Sequence, residues 1–323
     1  MIRSVIKGVG GYLPEKILTN RDLEKMVDTS DSWIVERTGI HSRHVAAKGE
    51  LTSDLAYKAA LVALENAGLA AQDADCIIVA TTTPDETLPA TATKVQNMLG
   101  MTRGFAFDVQ AVCSGFMYAL SIADNFIKTG MIKTAVVIGA ETITRLVDWT
   151  DRNTCVLFGD GAGAVVLQAA QGKGDISDTG ILNVILHSDG RQYDMLKTTG
   201  GASATQSAGV ILMEGKEVFR HAVTNLAAVA KETLSALNLT ESDVDVLVPH
   251  QANIRIIEGT AKKLSLPIEK VILTLPDQGN TSAASIPLAL FEGVKSGRIK
   301  KGDLMLLEAM GGGFTWAGGL IRF

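Results

Sequence analysis

The sequence contains few of the features that mark extracellular, membrane-spanning or nucleic-acid-binding proteins. It has three cysteines in 323 residues and no Cys-x-x-Cys pair, which excludes a disulfide framework and gives little support to a structural zinc site. Its apolar runs are far shorter than the ~20 residues of a membrane-spanning helix, and its first residues lack the apolar core of a signal peptide. A net charge of -5 provides no broad basic surface for nucleic acid. We expect a cytoplasmic protein that binds neither membrane nor nucleic acid.

The composition is otherwise that of a folded globular protein. Hydrophobic residues make up 46% of the chain and charged residues 20%, which argues against intrinsic disorder. The 32 glycines show no G-x-y period, so a collagen-like structure is excluded. At roughly 150 residues per domain, the length fits one large or two ordinary domains.

Short β-branched segments alternate with alanine-rich helical segments, the pattern of an α/β fold with buried parallel strands. The helices are predicted over Leu55–Ala67 and Val223–Leu237. The buried strands are predicted over Cys76–Thr81, Ala135–Gly139, Ala164–Leu167, Val244–Val248 and Leu304–Glu308.

Two sequence echoes indicate an internal duplication. Lys128–Lys133 recurs as Lys295–Lys300 at an offset of 167, and Leu69–Asp75 recurs as Leu239–Asp245 at an offset of 170. Both pairs occur in the same order and precede matching strands, so we predict two similar halves. The polar segment 171–179 is the candidate boundary, which divides the chain into residues 1–172 and residues 173–323.

The duplication predicts where reactive side chains meet. An offset of 167 sets Cys113 opposite Asn280, both at strand-to-helix junctions, and an offset of 170 places His250 at the carboxyl end of its strand. Ligands of α/β sheets gather at the carboxyl ends of the strands. We therefore expect a thiol, an imidazole and a carboxamide to share one site, although each alone is equally consistent with a packing or capping role.

The glycine clusters differ in their predicted use. Phe158–Gly163 lacks the lysine of a phosphate-binding loop and leads into a strand, so a nucleotide fold is not expected from it. The run Gly311–Gly313 follows the last strong strand, where bare backbone can approach a substrate and direct N–H groups at an oxyanion.

Several motifs together resemble the β-ketoacyl-acyl-carrier-protein synthase III family over essentially the whole chain. They are Asp28–Ile40, Phe158–Gly163, Pro249–Ile256, Gly279–Ser285 and Gly311–Trp316. The resemblance implies the thiolase fold, with two α/β halves in five αβαβα layers, and a homodimer. It also implies an acyltransferase that starts fatty acid synthesis without a metal or cofactor, joining a short acyl-CoA, expected to be acetyl-CoA, to malonyl-acyl-carrier-protein.

The resemblance assigns a role to each catalytic candidate. Cys113 would attack the acyl-CoA thioester, with its own backbone N–H and that of Gly312 meeting the oxyanion. His250 and Asn280 would donate hydrogen bonds to the thioester carbonyl of malonyl-carrier protein and stabilise the enolate that decarboxylation leaves.

Binding residues follow from the same resemblance. Coenzyme A would contact Thr29, Trp33, Arg37, Arg152, Phe219, Asn253 and Ile256, with adenine stacked between Trp33 and Arg152. The carrier protein would meet Arg220, Gln251, Ala252, Asn253, Ile254, Arg255, Lys262 and Lys263. Leu88, acting across the dimer, and Met310 would shape the acyl pocket; Met310 stands where some relatives carry an aromatic residue.

Three alternatives remain open from the sequence. A quinolone- or polyketide-type condensing enzyme would share the triad but use another acceptor. A cysteine hydrolase with a Cys-His-Asn triad would release free acid, and a binding module would form no covalent adduct.

Overall fold

The computed structural model describes all residues from Met1 to Phe323. It contains thirteen strands and nine α-helices, joined in places by short 3₁₀ turns. The strands are β1 Ile2–Tyr12, β2 Lys16–Thr19, β3 Ser42–Val45, β4 Cys76–Ala80, β5 Phe105–Val109, β6 Thr134–Glu141, β7 Gly161–Gln171, β8 Gly180–Ser188, β9 Leu196–Thr198, β10 Ile211–Met213, β11 Val246–Pro249, β12 Leu304–Gly311 and β13 Thr315–Arg322. The helices are α1 Asn20–Leu23, α2 Asp31–Thr38, α3 Thr52–Ala67, α4 Thr91–Met98, α5 Gly115–Lys128, α6 Gly215–Ser235, α7 Ile254–Lys263, α8 Leu275–Gln278 and α9 Ser285–Lys295.

Two mixed sheets of matching topology form the frame. The first has the strand order β1-β7-β6-β4-β5, and the second has the order β8-β13-β12-β11. In each sheet one ladder between matching strands is parallel (β4 with β6, β11 with β12), and the other ladders between matching strands are antiparallel. Only β5 lacks a full counterpart, since a single bridge between Leu247 and Val271 occupies its place. The predicted internal duplication is visible in this topology.

The helices complete five layers. Helix α3 packs on the outer face of the first sheet, α5 and α9 lie between the sheets, and α6 packs on the outer face of the second. One apolar cluster joins α5 and α9 to strands of both sheets. The strands β4 and β6 are buried along their whole length, as expected for β-branched segments covered by helices on both faces.

The structure corrects the offset that paired Cys113 with Asn280. The turns that precede α5 and α9 are Val112–Ser114 and Ser282–Ala284, 170 residues apart, so Cys113 corresponds to Ala283. The offset of 167 belongs to the ends of these helices, because α9 has 11 residues where α5 has 14. Asn280 still lies beside the turn equivalent to that of Cys113.

The predicted elements are found, most of them with longer bounds. Two strands are shorter than predicted, since β4 ends at Ala80 and β11 spans only Val246–Pro249. Helix α6 begins at Gly215 rather than Val223, and β7 extends from Gly161 to Gln171 around the predicted Ala164–Leu167. None of the nine helices combines the length and the apolar content that crossing a lipid bilayer requires.

Candidate active site

One cavity of about 830 Å³ brings together the residues that sequence reasoning placed at the reaction centre. Cys113, His250, Asn280 and Gly312 all line it, and they come from four different segments of the chain. The first three are nearly enclosed, with 7%, 4% and 7% of their surface exposed. The cavity lies where the carboxyl ends of β4, β6, β11 and β12 meet, as expected for a ligand site in α/β sheets.

Cys113 lies in a tight turn directly before α5. The preceding Val112 has a φ of 48°, a left-handed conformation that is strained for a β-branched residue. Ser114 holds the turn, since its hydroxyl donates to the carbonyl of Ala111 at 2.8 Å and lies 2.7 Å from the hydroxyl of Thr315. The turn thus fixes the thiol at the amino-terminal end of a buried helix, an environment that favours thiolate.

Burial of the thiol opposes this effect of the helix end. Burial raises the pKa of the Cys113 thiol to about 12, although a hydrogen bond with the Ser282 side chain acts to lower it. Attack on a thioester requires the thiolate. For Cys113 to act as a nucleophile, the site would therefore have to accept the proton of its thiol.

His250 follows β11, and its ring is neutral at physiological pH. Burial lowers the pKa of the imidazole to about 4. The ring atom Nδ1 is fully enclosed without a hydrogen-bond partner, so Nε2 is the nitrogen that can meet a ligand in the cavity. A neutral imidazole protonated at Nε2 is a hydrogen-bond donor there.

Asn280 is oriented by its neighbours along the chain and across it. Its Oδ1 accepts from the backbone N–H of Ser282 at 2.9 Å, which leaves Nδ2 to donate. Two backbone hydrogen bonds tie Asn280 to the start of the Phe158–Gly163 segment. The Asn280 N–H donates to the carbonyl of Leu157 at 2.8 Å, and the Gly159 N–H donates to the carbonyl of Asn280 at 3.0 Å. That glycine segment therefore supports the carboxamide instead of binding phosphate. A Cβ at Gly159 would lie 2.4 Å from the Gln278 carbonyl oxygen, so no larger residue fits.

Two buried residues at the site were not identified from the sequence. Ser282 lines the cavity, and its hydroxyl donates to Oε1 of Glu141 at 3.1 Å. Glu141 ends β6 and is completely buried. The sequence did contain a signal for Glu141, because this carboxylate lies at the carboxyl end of a predicted buried strand. That strand, β6, pairs with β4, whose carboxyl end leads to the cavity.

The cavity opens at a group of residues predicted to contact coenzyme A. Trp33, Arg37, Phe219, Asn253 and Ile256 line it, as does Met310. The Nδ2 atom of Asn253 donates to the carbonyl of Arg37 at 2.9 Å, which ties the start of α7 to α2. Thr29 and Arg152 lie outside the lining, but the guanidinium carbons of Arg37 and Arg152 lie 4.8 and 5.2 Å from the centroid of the Trp33 ring.

The predicted carrier-protein residues divide into an exposed group and an internal one. Arg220, Arg255, Lys262 and Lys263 are exposed, and the Arg255 guanidinium carbon lies 5.5 Å from the centroid of the Phe219 ring. Ala252 and Ile254 are partly buried. The placement of Gln251 on this surface is wrong, because it is 1% exposed and its side chain bonds the backbone of Pro249, Ile272, Thr274 and Leu275.

The Leu88 side chain does not reach the cavity of its own chain. It is 78% exposed and absent from the lining, which runs only as far as Thr82 on that segment. Any contact of Leu88 with an acyl pocket therefore requires a second chain. The structure contains no group of three or more His, Cys, Asp or Glu side chains placed to hold a metal ion.

Comparison with known proteins decides the family. A family model described as 3-oxoacyl-[acyl-carrier-protein] synthase III matches residues 107–190, and the model of its C-terminal part matches residues 234–323. A β-ketoacyl-[acyl-carrier-protein] synthase III of Paramagnetospirillum magneticum is 65% identical over 322 residues, covering 100% of this chain and 99% of that protein. The chain belongs to the β-ketoacyl-acyl-carrier-protein synthase III family.

Solved structures of similar condensing enzymes share the fold. The 3-oxoacyl-[acyl-carrier-protein] synthase III of Aquifex aeolicus has a TM-score of 0.94 at 46% identity, covering 99% of this chain and 100% of that chain. The priming β-ketosynthase of the R1128 polyketide pathway has a TM-score of 0.92 at 34% identity, covering 99% and 96%. The predicted thiolase fold is confirmed. The synthase III family catalyses the condensation that initiates fatty acid synthesis, and this chain is a condensing acyltransferase.

Proposed function

We propose that Cys113 carries the acyl group and that His250 and Asn280 drive decarboxylative condensation in the same cavity. The observation that carries the proposal is the convergence of these side chains with Gly312 in one nearly enclosed space. Cys113 attacks a short acyl-CoA, with acetyl-CoA as the expected primer, and the backbone N–H groups of Cys113 and Gly312 stabilise the oxyanion. Coenzyme A then leaves, and malonyl-acyl-carrier-protein enters.

The second half-reaction uses two neutral donors. Nε2 of His250 and Nδ2 of Asn280 donate to the thioester carbonyl of the malonyl group, on which negative charge develops as carbon dioxide departs. The resulting enolate attacks the acyl-cysteine and forms 3-oxoacyl-carrier protein. Neutral donors suit this step because a carboxylate at position 280 would repel the enolate. We propose that the reaction uses no metal or organic cofactor.

Coenzyme A enters by the mouth of the cavity. Trp33, Arg37 and Arg152 form a cluster in which flat groups stack, which suits adenine. With the Arg152 guanidinium 5.2 Å from the Trp33 centroid, no ring fits between them. Adenine binding therefore requires Arg152 to leave its hydrogen bond with the Asp28 carbonyl, 3.1 Å, and move outward. Thr29, whose buried hydroxyl has no partner, would supply a polar contact.

The exposed cations of α6 and α7 form the proposed carrier-protein surface. Arg220, Arg255, Lys262 and Lys263 offer positive charge near the cavity on a protein of net charge -5, which suits an acidic carrier. In the protein without bound carrier, the Arg220 guanidinium forms an ion pair with Glu217. Lys262 and Lys263 in the last turn of α7 have no ion pair, so they are available to a partner.

We propose that the protein is cytoplasmic and forms a homodimer. Each chain consists of two similar halves. The first sheet is built entirely from residues 2–171 and the second from residues 180–322, which supports a division at residues 172 and 173. The exposed Leu88 supports a dimer in which each chain contributes to the acyl pocket of its partner.

Product analysis tests the reaction class and the acceptor. The protein is incubated with acetyl-CoA and either malonyl-carrier protein or malonyl-CoA, and products are separated by mass spectrometry. We expect 3-oxobutanoyl-carrier protein and little condensation with malonyl-CoA. Preference for malonyl-CoA would contradict the acceptor assignment and favour the polyketide-type alternative, and release of acetate without a new carbon–carbon bond would favour a hydrolase.

A further inference from the structure

A buried carboxylate lies behind the cavity wall, next to a hydroxyl that lines the cavity together with the Cys113 thiol. Ser282 lines the cavity together with Cys113, the turns that carry the two residues pack against each other, and the Ser282 hydroxyl donates to Oε1 of Glu141 at 3.1 Å. The Ser282 side chain also acts to lower the pKa of the Cys113 thiol. All three residues are at least nine-tenths buried. A hydroxyl between a thiol and a carboxylate can accept a proton from the first and pass its own proton to the second.

The carboxylate of Glu141 is held in place entirely by hydrogen bonds that it accepts. Its carboxylate accepts from the backbone N–H of Thr82 at 3.1 Å and from the hydroxyls of Thr83 at 2.6 Å and Thr81 at 3.3 Å. No lysine, arginine or histidine contacts it. Of the hydroxyl groups that bond it, only that of Ser282 belongs to a residue that lines the cavity with Cys113, so Ser282 is the one hydroxyl placed to connect the carboxylate with the thiol.

The charge state of Glu141 suits proton exchange. Burial raises the pKa of its carboxyl to about 7, while the bond from Thr83 acts to lower it. His250, the other titratable group at the inner end of the cavity, has a pKa lowered to about 4 by burial and is a poor proton acceptor. A group with a pKa near the working pH is the most efficient general base.

We propose that Glu141, acting through Ser282, takes the proton of Cys113 during acyl transfer and returns it during condensation. This inference rests on the proposed role of Cys113 as nucleophile. The S–H bond of Cys113 breaks, its proton moves to the Ser282 oxygen, and the Ser282 proton moves to Glu141. The Cys113 sulfur forms a bond to the acyl carbon, and the bond from that carbon to the coenzyme A sulfur breaks.

The proton is conserved over the catalytic cycle. Coenzyme A leaves as a thiolate and is protonated by solvent. When the enolate takes the acyl group, the bond from Cys113 to the acyl carbon breaks, and the departing thiolate recovers its proton from Glu141 through Ser282. One solvent proton is therefore consumed per turnover, as the release of carbon dioxide from a malonyl carboxylate requires.

The test is the pH dependence of acylation in Glu141→Gln, measured by rapid-quench mass spectrometry with acetyl-CoA between pH 5.5 and 9. In the wild type the acylation rate should rise through an apparent pKa near 7 and then level off, because ionised Glu141 is the acceptor. In Glu141→Gln it should fall roughly 10²-fold at pH 7 and rise tenfold per pH unit above it, because only free thiolate reacts. Ser282→Ala breaks the same relay and should give the same profile if Glu141→Gln proves insoluble.

Asp160→Asn is the matched control. Asp160 is also fully buried, accepts bonds from Ala46, Thr144 N and the Thr144 hydroxyl, and lies outside the cavity lining. It should retain the wild-type profile. A wild-type profile in Glu141→Gln and Ser282→Ala would overturn the relay. If Cys113→Ala then forms no acetyl adduct, the proposed role of Cys113 as nucleophile is retained although the relay is rejected. An adduct on Cys113→Ala would reject the proposed function itself.

Discussion

The backbone of Gly311 packs directly against Cys113. A Cβ at position 311 would lie 2.5 Å from the Cys113 backbone nitrogen and 3.2 Å from its Cβ. The end of β12 and the nucleophile turn are thus in contact without any side chain between them. The glycine run predicted to approach the substrate also sets the position of Cys113, the proposed nucleophile.

Gly311→Ala should therefore displace the turn 112–114 and misplace the thiol. We expect the rate of Cys113 acylation by acetyl-CoA to fall roughly 10²-fold, because a displacement of about 1 Å has that effect on positioned reactants. Gly190→Ala is the control, since a Cβ there meets nothing within 4 Å. Equal acylation rates in both variants would show that the close approach has no bearing on the nucleophile.

The two half-reactions should respond differently to loss of the neutral donors. His250→Ala and Asn280→Ala should retain acyl transfer to Cys113 better than condensation. Loss of one donor to a developing oxyanion reduces the rate by about 10²–10³-fold, and we expect that loss in condensation. Single-turnover measurements of each half-reaction check this, and an equal loss in both would contradict the division of roles.

The convergence of Cys113 and His250 in one cavity could be predicted from the sequence, because both follow strand ends of two similar halves. The side chains behind them could not be, because the contact of Ser282 with Glu141 depends on how two turns pack. Gln251 was misplaced for a similar reason. It follows His250 in a polar segment, yet its carboxamide satisfies four backbone groups inside the protein, a demand visible only in the folded chain.

Lys262→Glu tests the carrier-protein surface without touching the cavity. The Lys262 side chain is exposed in the last turn of α7 and does not line the cavity. We expect the KM for malonyl-carrier protein to rise several-fold, with a smaller effect at high salt, and the acylation of Cys113 to stay unchanged. Lys300→Glu, an exposed lysine preceding β12, is the control. An unchanged KM in Lys262→Glu would exclude this part of the surface.

A buried carboxyl on β12 predicts how stability depends on pH. Glu308 is 0% exposed, neither of its carboxyl oxygens has a partner, and burial raises the pKa of the group from 4.5 to about 8. Between these values the folded protein holds a proton that the unfolded chain releases. Glu308 therefore lowers the free energy of unfolding as pH rises, by up to about 1.4 kcal/mol per pH unit.

Glu308→Gln should remove this contribution. Urea unfolding at pH 5.5, 6.5 and 7.5 should show the wild type losing stability relative to Glu308→Gln as the pH rises. Glu65→Gln, an exposed carboxylate on α3, should follow the wild type. Parallel profiles for wild type and Glu308→Gln would mean that Glu308 is already ionised in the folded protein.

Intact-mass spectrometry after brief exposure to acetyl-CoA, followed by peptide mapping, tests the nucleophile most directly. Wild-type protein should gain the mass of one acetyl group on the peptide that contains Cys113, and the adduct should disappear when malonyl-carrier protein is added. Cys113→Ala should gain no mass. An acetyl group on Cys113→Ala, or on a wild-type peptide that lacks Cys113, would contradict the account.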